Sequence, residues 1–367
     1  MSNTVESNTS DILLNRRGTA GIVTLNRPAA LNAVTHAMVR ALREALERWR
    51  HDGAVSRVIV TAAGGRAFSA GGDLRAIYEA DRAGRQEESI GFWRDEYALN
   101  AAIKHYPKPY VALIDGIVMG GGVGVSVHGS HRVAGDGFEF AMPEVGIGFF
   151  PDVGATWFLP RLPGEIGTYC ALTGERLNAA DALVAGVATH RVESGHFAEL
   201  AEALCSAVSV DAILAAFADA ASPSPQGGGE KRGGPTMARR HLIDRIFAAG
   251  SVEEILARLD AEAAAAGSDA RWTGEVAAMI RTKAPLSLKI ALAQMRRGRN
   301  WSFEECMRAE FRVVSRVAYG HDFYEGIRAV IIDKDNRPRW HPPTLAEATS
   351  ESVERHFAAL ESELALP

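Results

Sequence analysis

The chain has 367 residues, of which 40 are lysine or arginine and 45 are aspartate or glutamate, giving a formal net charge of −5 at pH 7. Its 47% of hydrophobic residues supply enough apolar material for a large core, which is typical of an ordinary globular protein. Because the charge is negative overall, no general basic field exists, and we expect no nucleic-acid partner. The length suits two domains, or one large α/β domain with a helical appendage.

The cysteine pattern and the apolar runs bound the class of protein further. The three cysteines, Cys170, Cys205 and Cys306, lie far apart and form no CxxC pair, which argues against a disulfide framework or a cysteine-based zinc site. We expect them to be buried structural thiols. The first residues lack the features of a signal or transit peptide, so we expect a cytoplasmic protein. The most apolar uncharged run, 116–127, is too short to span a bilayer and predicts a buried strand; we expect no membrane partner.

Two strands and a helix are predicted first along the chain. Residues 12–17 and 21–26 are strand-like runs separated by Gly18, which is typical of a hairpin. A helix follows, with Thr35 placed to cap it and Gly53 to close it. Its apolar positions, at helical spacing, are Met38, Val39, Leu42, Leu46 and Trp49.

Strands then alternate with helices. Residues 57–62 contain three consecutive aliphatic residues, which predicts a strand buried on both faces. A helical stretch ends before Pro107, residues 110–114 form another strand, and the glycines from Gly120 lead into a helix. This alternation predicts an α/β fold.

The last third of the chain is predicted to be helical and separate from the core. Residues 221–236 read ASPSPQGGGEKRGGPT, a composition that cannot bury enough apolar surface to offset its ordering entropy, so we expect a flexible linker or loop there. The predicted organisation is a core over 11–220, that linker, and a helical region over 237–367. Two pairs with capping-box spacing open helical patterns, Ser251 with Glu254 and Ser302 with Glu305. One predicted helix carries an apolar face made of Phe303, Met307, Phe311 and Val314.

Two glycine-rich segments stand where a strand feeds a helix. The first is FSAGGDL, residues 68–74, and the second is MGGGVG, residues 119–124. Such junctions let backbone N–H groups approach a ligand, and two of them could form an oxyanion hole. The alternatives are a plain turn with Asp73 capping a helix, and close helix packing at the second segment.

Two carboxylates form a short internal echo, PEVG at 143–146 and PDVG at 151–154, with apolar residues between them. Glu144 or Asp152 could simply serve the N-terminal dipole of a helix. The functional alternative is general-base chemistry, because an acid placed against Phe149 and Phe150 has its ionised form destabilised. Spacing alone does not separate these roles.

Four segments resemble the crotonase superfamily, and specifically the 3-hydroxyisobutyryl-CoA hydrolases, over nearly the whole chain. They are AFSAGGDLR, PYVALIDGIVMGGGVGVSVHGSHRVA, FAMPEVGIGFFPDVGATWFLPRLPGEIGTYCALTG and GHDFYEGIRAVIIDKDNRPRW. The hydrolase-like features are FPDVG and the C-terminal run, whereas the GGD and GGG segments occur across the superfamily. The resemblance implies a spiral of ββα repeats followed by a helical C-terminal region, and an acyl-CoA as substrate and partner.

The same resemblance implies roles for eight residues of this sequence. Glu144 and Asp152 would be catalytic, and the amides of Gly72 and Gly121 would form the oxyanion hole. The substrate-binding set implied is Glu96, Gly121, Glu144 and Asp152, and the CoA-binding set implied is Ala70, Gly71, Gly72 and Asp73. In enoyl-CoA hydratases a glutamate follows the glycine triplet, and here that position is Gly124, which weakens a hydratase assignment.

The resemblance therefore predicts thioester hydrolysis, with Glu144 as general base or as nucleophile and Asp152 binding the substrate hydroxyl. The acyl group could be 3-hydroxyisobutyryl, as in valine breakdown, or 3-hydroxypropionyl. An enoyl-CoA isomerase or hydratase is the nearest alternative, and a non-catalytic acyl-CoA or RNA-binding relative is an alternative of another class. We expect no cofactor beyond the CoA of the substrate.

Two histidines invite a metal interpretation that the sequence does not support. His128 and His131 lie three residues apart, but no HExxH motif occurs and the nearby serines lack a G-x-S-x-G elbow. We expect no metal. The resemblance also implies a homo-oligomer of unspecified size.

Overall fold

The computed structural model describes residues 3–5, 10–220, 233–265 and 267–366. The strands of this part of the chain are β1 (Asn3–Val5), β2 (Ile12–Arg17), β3 (Ala20–Leu25), β4 (Arg57–Ala62), β5 (Ala67–Ser69), β6 (Tyr110–Ile114), β7 (Ile117–Met119), β8 (His131–Ala134), β9 (Glu139–Ala141), β10 (Leu177–Asn178) and β11 (His190–Arg191).

Helices join the strands and make up the last third of the chain. The α-helices are α1 (His36–His51), α2 (Leu74–Arg82), α3 (Gln86–Lys104), α4 (Gly121–Gly124), α5 (Ala155–Phe158), α6 (Ile166–Thr173), α7 (Ala179–Ala185), α8 (Phe197–Ala203), α9 (Val210–Ala220), α10 (Pro235–Ala238), α11 (Arg240–Phe247), α12 (Val252–Ala264), α13 (Ala270–Arg281), α14 (Pro285–Gly298), α15 (Phe303–Val317), α16 (His321–Ile327) and α17 (Ser350–Phe357). Short 3-10 helices lie at Pro28–Ala30, Glu144–Ile147, Leu159–Arg161 and Ser194–His196, and a π-helical turn lies at Arg328–Ile332.

Two sheets organise the described strands. The larger has the order β1-β2-β3-β4-β6-β8-β11, with antiparallel pairing from β1 to β3 and parallel pairing from β3 onward. The smaller has the order β10-β9-β7-β5 and is parallel except for the β9–β10 pair. Consecutive strands alternate between the sheets, since β4, β6 and β8 lie in the larger one and β5, β7 and β9 in the smaller one. This winding confirms the predicted spiral of ββα units.

The spiral also places the two glycine segments together. β5 and β7 are parallel neighbours, and the first glycine segment follows β5 while the second follows β7. Because the carboxyl ends of parallel strands meet at one edge of a sheet, both glycine turns lie at the same edge.

Strand β4 shows why the larger sheet is buried on both faces. Val58 and Val60 pack into the main core, and Ile59, which points the other way, packs into a second apolar cluster with Leu200 and Leu214 of the α8–α9 region. All three strand residues have no exposed surface. The predicted double burial of this strand is confirmed, and its bounds match the prediction.

The first helix begins as predicted and ends just before Gly53. Thr35 caps α1 by accepting a hydrogen bond from the amide of Met38 at 3.2 Å. The helix ends at His51, and the C-cap is Asp52 with an extended backbone, so Gly53 follows the cap instead of forming it. Gly53 thus stands at the first position beyond the cap, where a glycine that follows a helix is commonly found.

The C-terminal region is helical, as predicted, but its start differs from the prediction. Residues 221–232 of the predicted 221–236 linker lie outside the described residues. Pro235 and Thr236 belong to α10, because proline suits the first turn of a helix and the amides of Thr236 and Met237 donate to Asp181 at 3.3 and 2.9 Å. The linker prediction is therefore wrong at its last two residues.

The C-terminal helices pack into the same main core as the spiral. The predicted apolar face of α15, which holds Phe303, Met307, Phe311 and Val314, is buried in that core. Ser302 and Glu305 form the predicted capping box at its start. Each of the three cysteines is free and buried, in agreement with the predicted structural thiols. The helical region thus contributes directly to the interior around the glycine turns.

Candidate active site

A cavity of about 340 Å³ lies between the two glycine turns, α3, the segment 143–152 and the region of α16. Apolar and aromatic side chains share its wall with carboxyl groups and glycine backbone. Seven of the eight residues predicted for the site line it, namely Ala70, Gly71, Gly72, Glu96, Gly121, Glu144 and Asp152. An apolar cavity with a few converging polar groups is the usual form of a ligand site.

Asp73 is the predicted site residue that does not line this cavity. Its carboxylate caps α2 by accepting from the amide of Ala76 at 3.2 Å and pairs with Arg27 at 3.0 Å. It lines a smaller neighbouring cavity of about 160 Å³ together with His36 and Phe92. The helix-capping alternative therefore describes what this side chain does in the structure.

The two glycine turns bring two amides close together. Gly71 (φ +112°) and Gly120 (φ +45°) adopt backbone conformations that residues other than glycine rarely adopt. Each turn is followed by a glycine, Gly72 or Gly121, whose N–H donates no hydrogen bond to the described residues. A Cβ atom placed on Gly121 would lie 3.4 Å from the nitrogen of Gly72. Two neighbouring unpaired N–H groups can hold an oxygen that gains negative charge.

The second glycine run also has a packing role. A Cβ on Gly121 would lie 2.7 Å from Oε1 of Glu96, and one on Gly122 would lie 2.5 Å from the carbonyl oxygen of Ser69. These distances are too short for real side-chain contacts. Close packing and a backbone binding function therefore coexist in the run, and the two alternatives raised by the sequence do not exclude each other.

Three carboxyl groups converge on the cavity. Glu96, Glu144 and Asp152 are only 2%, 6% and 5% exposed. Asp152 accepts a hydrogen bond from the Tyr97 hydroxyl at 2.9 Å. Oε1 of Glu96 and Oε2 of Glu144 are buried and accept none from the described residues. Although Glu144 opens a 3-10 helix, its Oε2 accepts no hydrogen bond from that helix, so these two oxygens are available to a ligand that donates hydrogen bonds.

Burial makes these groups weaker acids than usual. It raises the pKa of Glu96 and of Glu144 well above the ordinary value, and the charge of Asp152 raises each further. Burial also raises the pKa of Asp152 to about 7, against the opposing effect of the Tyr97 hydrogen bond. A carboxyl group with a pKa of about 7, such as Asp152, can exchange protons near neutral pH, which is what general acid and base catalysis requires.

An aromatic wall keeps water from the carboxyl groups. Phe149 stacks on Phe150 with ring centres 4.6 Å apart and on Trp93 at 5.7 Å. Phe323 of α16 meets Phe149 at 4.8 Å and closes the wall from the C-terminal region. These rings provide the low-polarity surroundings that disfavour an ionised acid.

The sequence did not predict Lys283, which lines the cavity, or two fully buried polar residues that lie behind its wall. Tyr97 follows Glu96 on α3 and is fully buried. Glu310 of α15 has no exposed surface and accepts hydrogen bonds from the amides of Gly154 and Thr156 at 2.7 and 2.8 Å. The sequence signal for Glu310 was its position three residues after Met307, on the apolar face of its helix. A glutamate is almost never fully buried unless it is paired, so an acid on an apolar face indicates a specific partner.

The two histidines considered as metal ligands contact different residues. His128 is buried and its Nε2 bonds the carbonyl oxygen of Val153 at 2.7 Å. His131 contacts Ser130 at 2.8 Å and Asp211 at 3.0 Å. Within the described ranges, no group of three or more His, Cys, Asp or Glu residues is arranged to hold a metal ion.

Comparison with known proteins places this geometry in a family. A family model described as enoyl-CoA hydratase/isomerase matches residues 20–357. The chain belongs to the enoyl-CoA hydratase/isomerase family. The predicted crotonase resemblance is confirmed by this match.

Relatives within the family carry more than one name. The protein of Danio rerio named 3-hydroxyisobutyryl-CoA hydrolase, mitochondrial, is 44% identical over 355 residues, covering 96% of this chain and 90% of its own. The human protein of the same name is 43% identical over 356 residues, with coverage of 96% and 89%. A crystal structure titled carnitinyl-CoA dehydratase, from Mycobacterium thermoresistibile, has a TM-score of 0.87 and 44% identity, covering 97% of this chain and 99% of that one.

The position of Gly124, shortly after the glycine triplet, is closely packed. Where the resemblance places a glutamate in hydratases, this chain has Gly124. A Cβ there would lie 2.7 Å from Nδ2 of Asn100 and 2.9 Å from Cβ of Val153. The space for a side chain is thus already filled.

The predicted cytoplasmic location is wrong on this comparison, because the two relatives named 3-hydroxyisobutyryl-CoA hydrolase are mitochondrial by name. The prediction used the composition of the first residues, whereas a compartment is set by signals that receptors read and not by the folded body. In the described part of the chain, no helix combines the length and apolar character needed to cross a membrane.

Proposed function

We propose that the protein is an acyl-CoA thioester hydrolase that converts 3-hydroxyisobutyryl-CoA and water into 3-hydroxyisobutyrate and free CoA. The relatives of that name, which align with nearly the whole chain, support the substrate. The composition of the cavity wall supports the reaction type. The unpaired carboxyl oxygen of Glu144 lies in the same wall as the free amides of Gly72 and Gly121. No second acid follows the glycine triplet, where Gly124 stands instead.

The amides of Gly72 and Gly121 hold the thioester oxygen. Attack on the thioester carbon moves an electron pair onto this oxygen, and the two N–H groups stabilise the resulting negative charge. Each such donor is worth about 2.7 to 4 kcal/mol in the transition state. Because the donors belong to backbone, they are already oriented before the substrate binds.

Glu144 begins the reaction in one of two ways. As a general base it removes a proton from water, and the resulting hydroxide adds to the carbonyl carbon. As a nucleophile it adds to that carbon itself, expels the CoA thiolate and forms an anhydride that water then cleaves. In both routes the carbon–sulfur bond breaks and the thiolate takes up a proton.

Asp152 binds the substrate hydroxyl. Its Oδ2 accepts from Tyr97, and the carboxyl group lines the cavity, where it binds the 3-hydroxyl group of the acyl chain. With a pKa near 7, Asp152 also holds the proton that the leaving thiolate needs. An acyl group without the hydroxyl leaves a buried acceptor unpaired, which is the source of selectivity.

The remaining predicted residues shape the cavity. The buried Glu96 lines the acyl end beside Gly121, and Ala70 and Gly71 offer backbone to the CoA chain. Asp73 acts on CoA only indirectly, by fixing the start of α2 next to the first glycine turn. Water and these side chains supply every proton and nucleophile, so the reaction needs no cofactor.

A dehydratase is the second candidate, since one solved structure of high similarity has that title. Dehydration of a 3-hydroxyacyl-CoA removes a proton from C2 and expels the 3-hydroxyl as water. Glu144 could take the proton beside the same oxyanion hole. In the hydratase pattern a second acid acts on the departing hydroxyl. This chain has Gly124 at that position, and neighbouring atoms fill the space that an acidic side chain would need.

The test measures free thiol released from 3-hydroxyisobutyryl-CoA, with crotonyl-CoA assayed alongside for hydration by its absorbance. The wild type and a Glu193→Gln control, which changes an exposed acid, should release thiol at equal rates. Glu144→Gln should lower kcat by about 1,000-fold or more with KM changed only a few-fold. Hydration of crotonyl-CoA without thiol release would overturn the hydrolase proposal in favour of the second candidate.

A further inference from the structure

The segment that carries Asp152 has an unusual backbone. Val153 has φ +52°, a left-handed conformation that is an outlier for a β-branched residue. Such strain persists only where surrounding groups hold it in place, and it often marks functional sites. The segment directly follows the aromatic pair Phe149–Phe150 and precedes α5.

Three buried side chains from distant parts of the chain hold this segment. Gln294 of α14 donates to the carbonyl oxygen of Pro151 at 2.9 Å. His128 bonds the carbonyl oxygen of Val153 at 2.7 Å. Since burial lowers the pKa of His128 to about 4, the ring is neutral near pH 7 and Nε2 carries the donated proton.

Glu310 of α15 makes the third and most extensive attachment. Its Oε2 accepts from the amide of Gly154 at 2.7 Å and its Oε1 from the amide of Thr156 at 2.8 Å. It has no exposed surface and is absent from the cavity wall, so it does not contact the substrate. Both carboxylate oxygens are used to hold backbone two and four residues after Asp152.

We propose that Glu310 is the positioning residue of the site, holding the strained Val153–Gly154 backbone so that Asp152 stays hydrogen-bonded to Tyr97 and faces the substrate. This role rests on the proposed hydrolase function, because it assigns Asp152 a task in that reaction. It also makes the C-terminal helical region part of the catalytic apparatus without any contact with substrate.

Only a side chain with two acceptor oxygens satisfies both amides at once. A glutamine at this position has one acceptor oxygen, and its NH₂ group meets the second N–H donor head-on. An aspartate is shorter by one methylene and cannot span the same two amides from the same helix position. The geometry therefore specifies glutamate, and Glu310→Gln breaks one attachment while keeping the side-chain volume.

The charge of Asp152 also acts on Glu310. The ionisable groups around Asp152 are Glu96 and Tyr97 on α3, Glu144 on its 3-10 helix, and Glu310 on α15. Burial, and after it the charge of Asp152, raise the pKa of Glu310 to about 8, against the opposing effect of the hydrogen bonds from the Gly154 and Thr156 amides. Because the pKa of Asp152, about 7, lies below that of Glu310, Asp152 ionises first, and a pH-rate limb that belongs to Asp152 should stay in place in Glu310→Gln.

The experiment compares the wild type, Glu310→Gln and Glu305→Gln. Glu305 is the matched control because it lies on the same helix, is exposed, and glutamine can replace it in a capping box. Glu310→Gln should lower kcat for thiol release by about 100-fold with KM within about 3-fold, the expected cost of displacing a catalytic group by about 1 Å. The control should stay within about 2-fold of the wild type. A Glu310→Gln enzyme with wild-type kcat would overturn the proposal.

Two further measurements cover the other outcomes. If Glu310→Gln does not fold, Gln294→Met removes a different attachment of the same segment and should lower kcat by about 10-fold, again with KM unchanged; an unchanged kcat overturns the proposal. Crystal structures of the wild type and Glu310→Gln should show Asp152 released from Tyr97 in the variant, and an intact 2.9 Å bond overturns it. This last comparison requires no turnover, so it judges the positioning role even if the wild type releases no thiol and the proposed function fails.

Discussion

Replacing Asp152 with asparagine should stabilise the folded protein, and should do so more at high pH than at low pH. The unfolded chain loses the proton of this group near pH 3.8, while burial in the folded protein raises its pKa to about 7. Between these values the unfolded state binds fewer protons, so the group lowers the stability of the native state as pH rises. Asparagine removes this effect and still offers an oxygen to the Tyr97 hydroxyl.

The size of the effect follows from the separation of the two pKa values. A difference of about three units gives roughly 4 kcal/mol of stabilisation at pH 8 and roughly 2 kcal/mol at pH 5. Urea denaturation of the wild type and Asp152→Asn at both pH values measures it directly. Glu361→Gln, which removes a charge at an exposed position, is the control and should change stability by less than about 0.5 kcal/mol at either pH.

The result that would refute this reasoning is a variant no more stable than the wild type at pH 8. It would mean that the carboxyl group is ionised in the folded protein at no cost, and that burial behind the aromatic wall does not control its pKa. Because the measurement uses protein without substrate, it is independent of which reaction the enzyme catalyses.

Two glycine substitutions test the backbone of the site. Gly121→Ala places a methyl group 2.7 Å from Oε1 of Glu96 and beside the amide of Gly72, so kcat/KM for thiol release should fall about 100-fold with an unchanged circular dichroism spectrum. Gly195→Ala, where a Cβ meets nothing within 4 Å, should leave the rate unchanged, and equal effects of the two would contradict the oxyanion-hole assignment. Gly124→Glu should lower stability by about 1 to 3 kcal/mol through crowding against Asn100 and Val153. It should not create hydration of crotonyl-CoA, and a gain of that activity would show that the missing acid alone separates the two reactions.

The sequence predicts the larger sheet better than the smaller one. Strands such as β4 and β6 are continuous aliphatic runs, and both have the predicted bounds. The smaller sheet is built from strands of two or three residues, such as β5 and β9, which carry too short a pattern to show a period. Their pairing depends on the winding of the whole spiral, which local sequence does not reveal.

The sequence likewise predicts some residues of the candidate site better than others. The glycine turns and the acids at 144 and 152 stand beside prolines and glycines, so their sequence context marks them as unusual. Glu310 sits in an ordinary helical pattern, and its importance arises only from the amides that the fold brings to it. The resemblance supplied Glu96 but not the adjoining Tyr97, whose role depends on the orientation of one hydroxyl group.

The bond between Glu310 and Gly154 joins residues 156 positions apart, and this has a consequence during synthesis of the protein. At about 5 to 20 residues per second, the ribosome adds α15 roughly 8 to 30 seconds after the segment that bears Asp152. Until then a nascent chain carries the glycine turns and both acids without the attachment that holds the strained backbone. The chain should therefore become able to hydrolyse the thioester only late, when translation is almost complete.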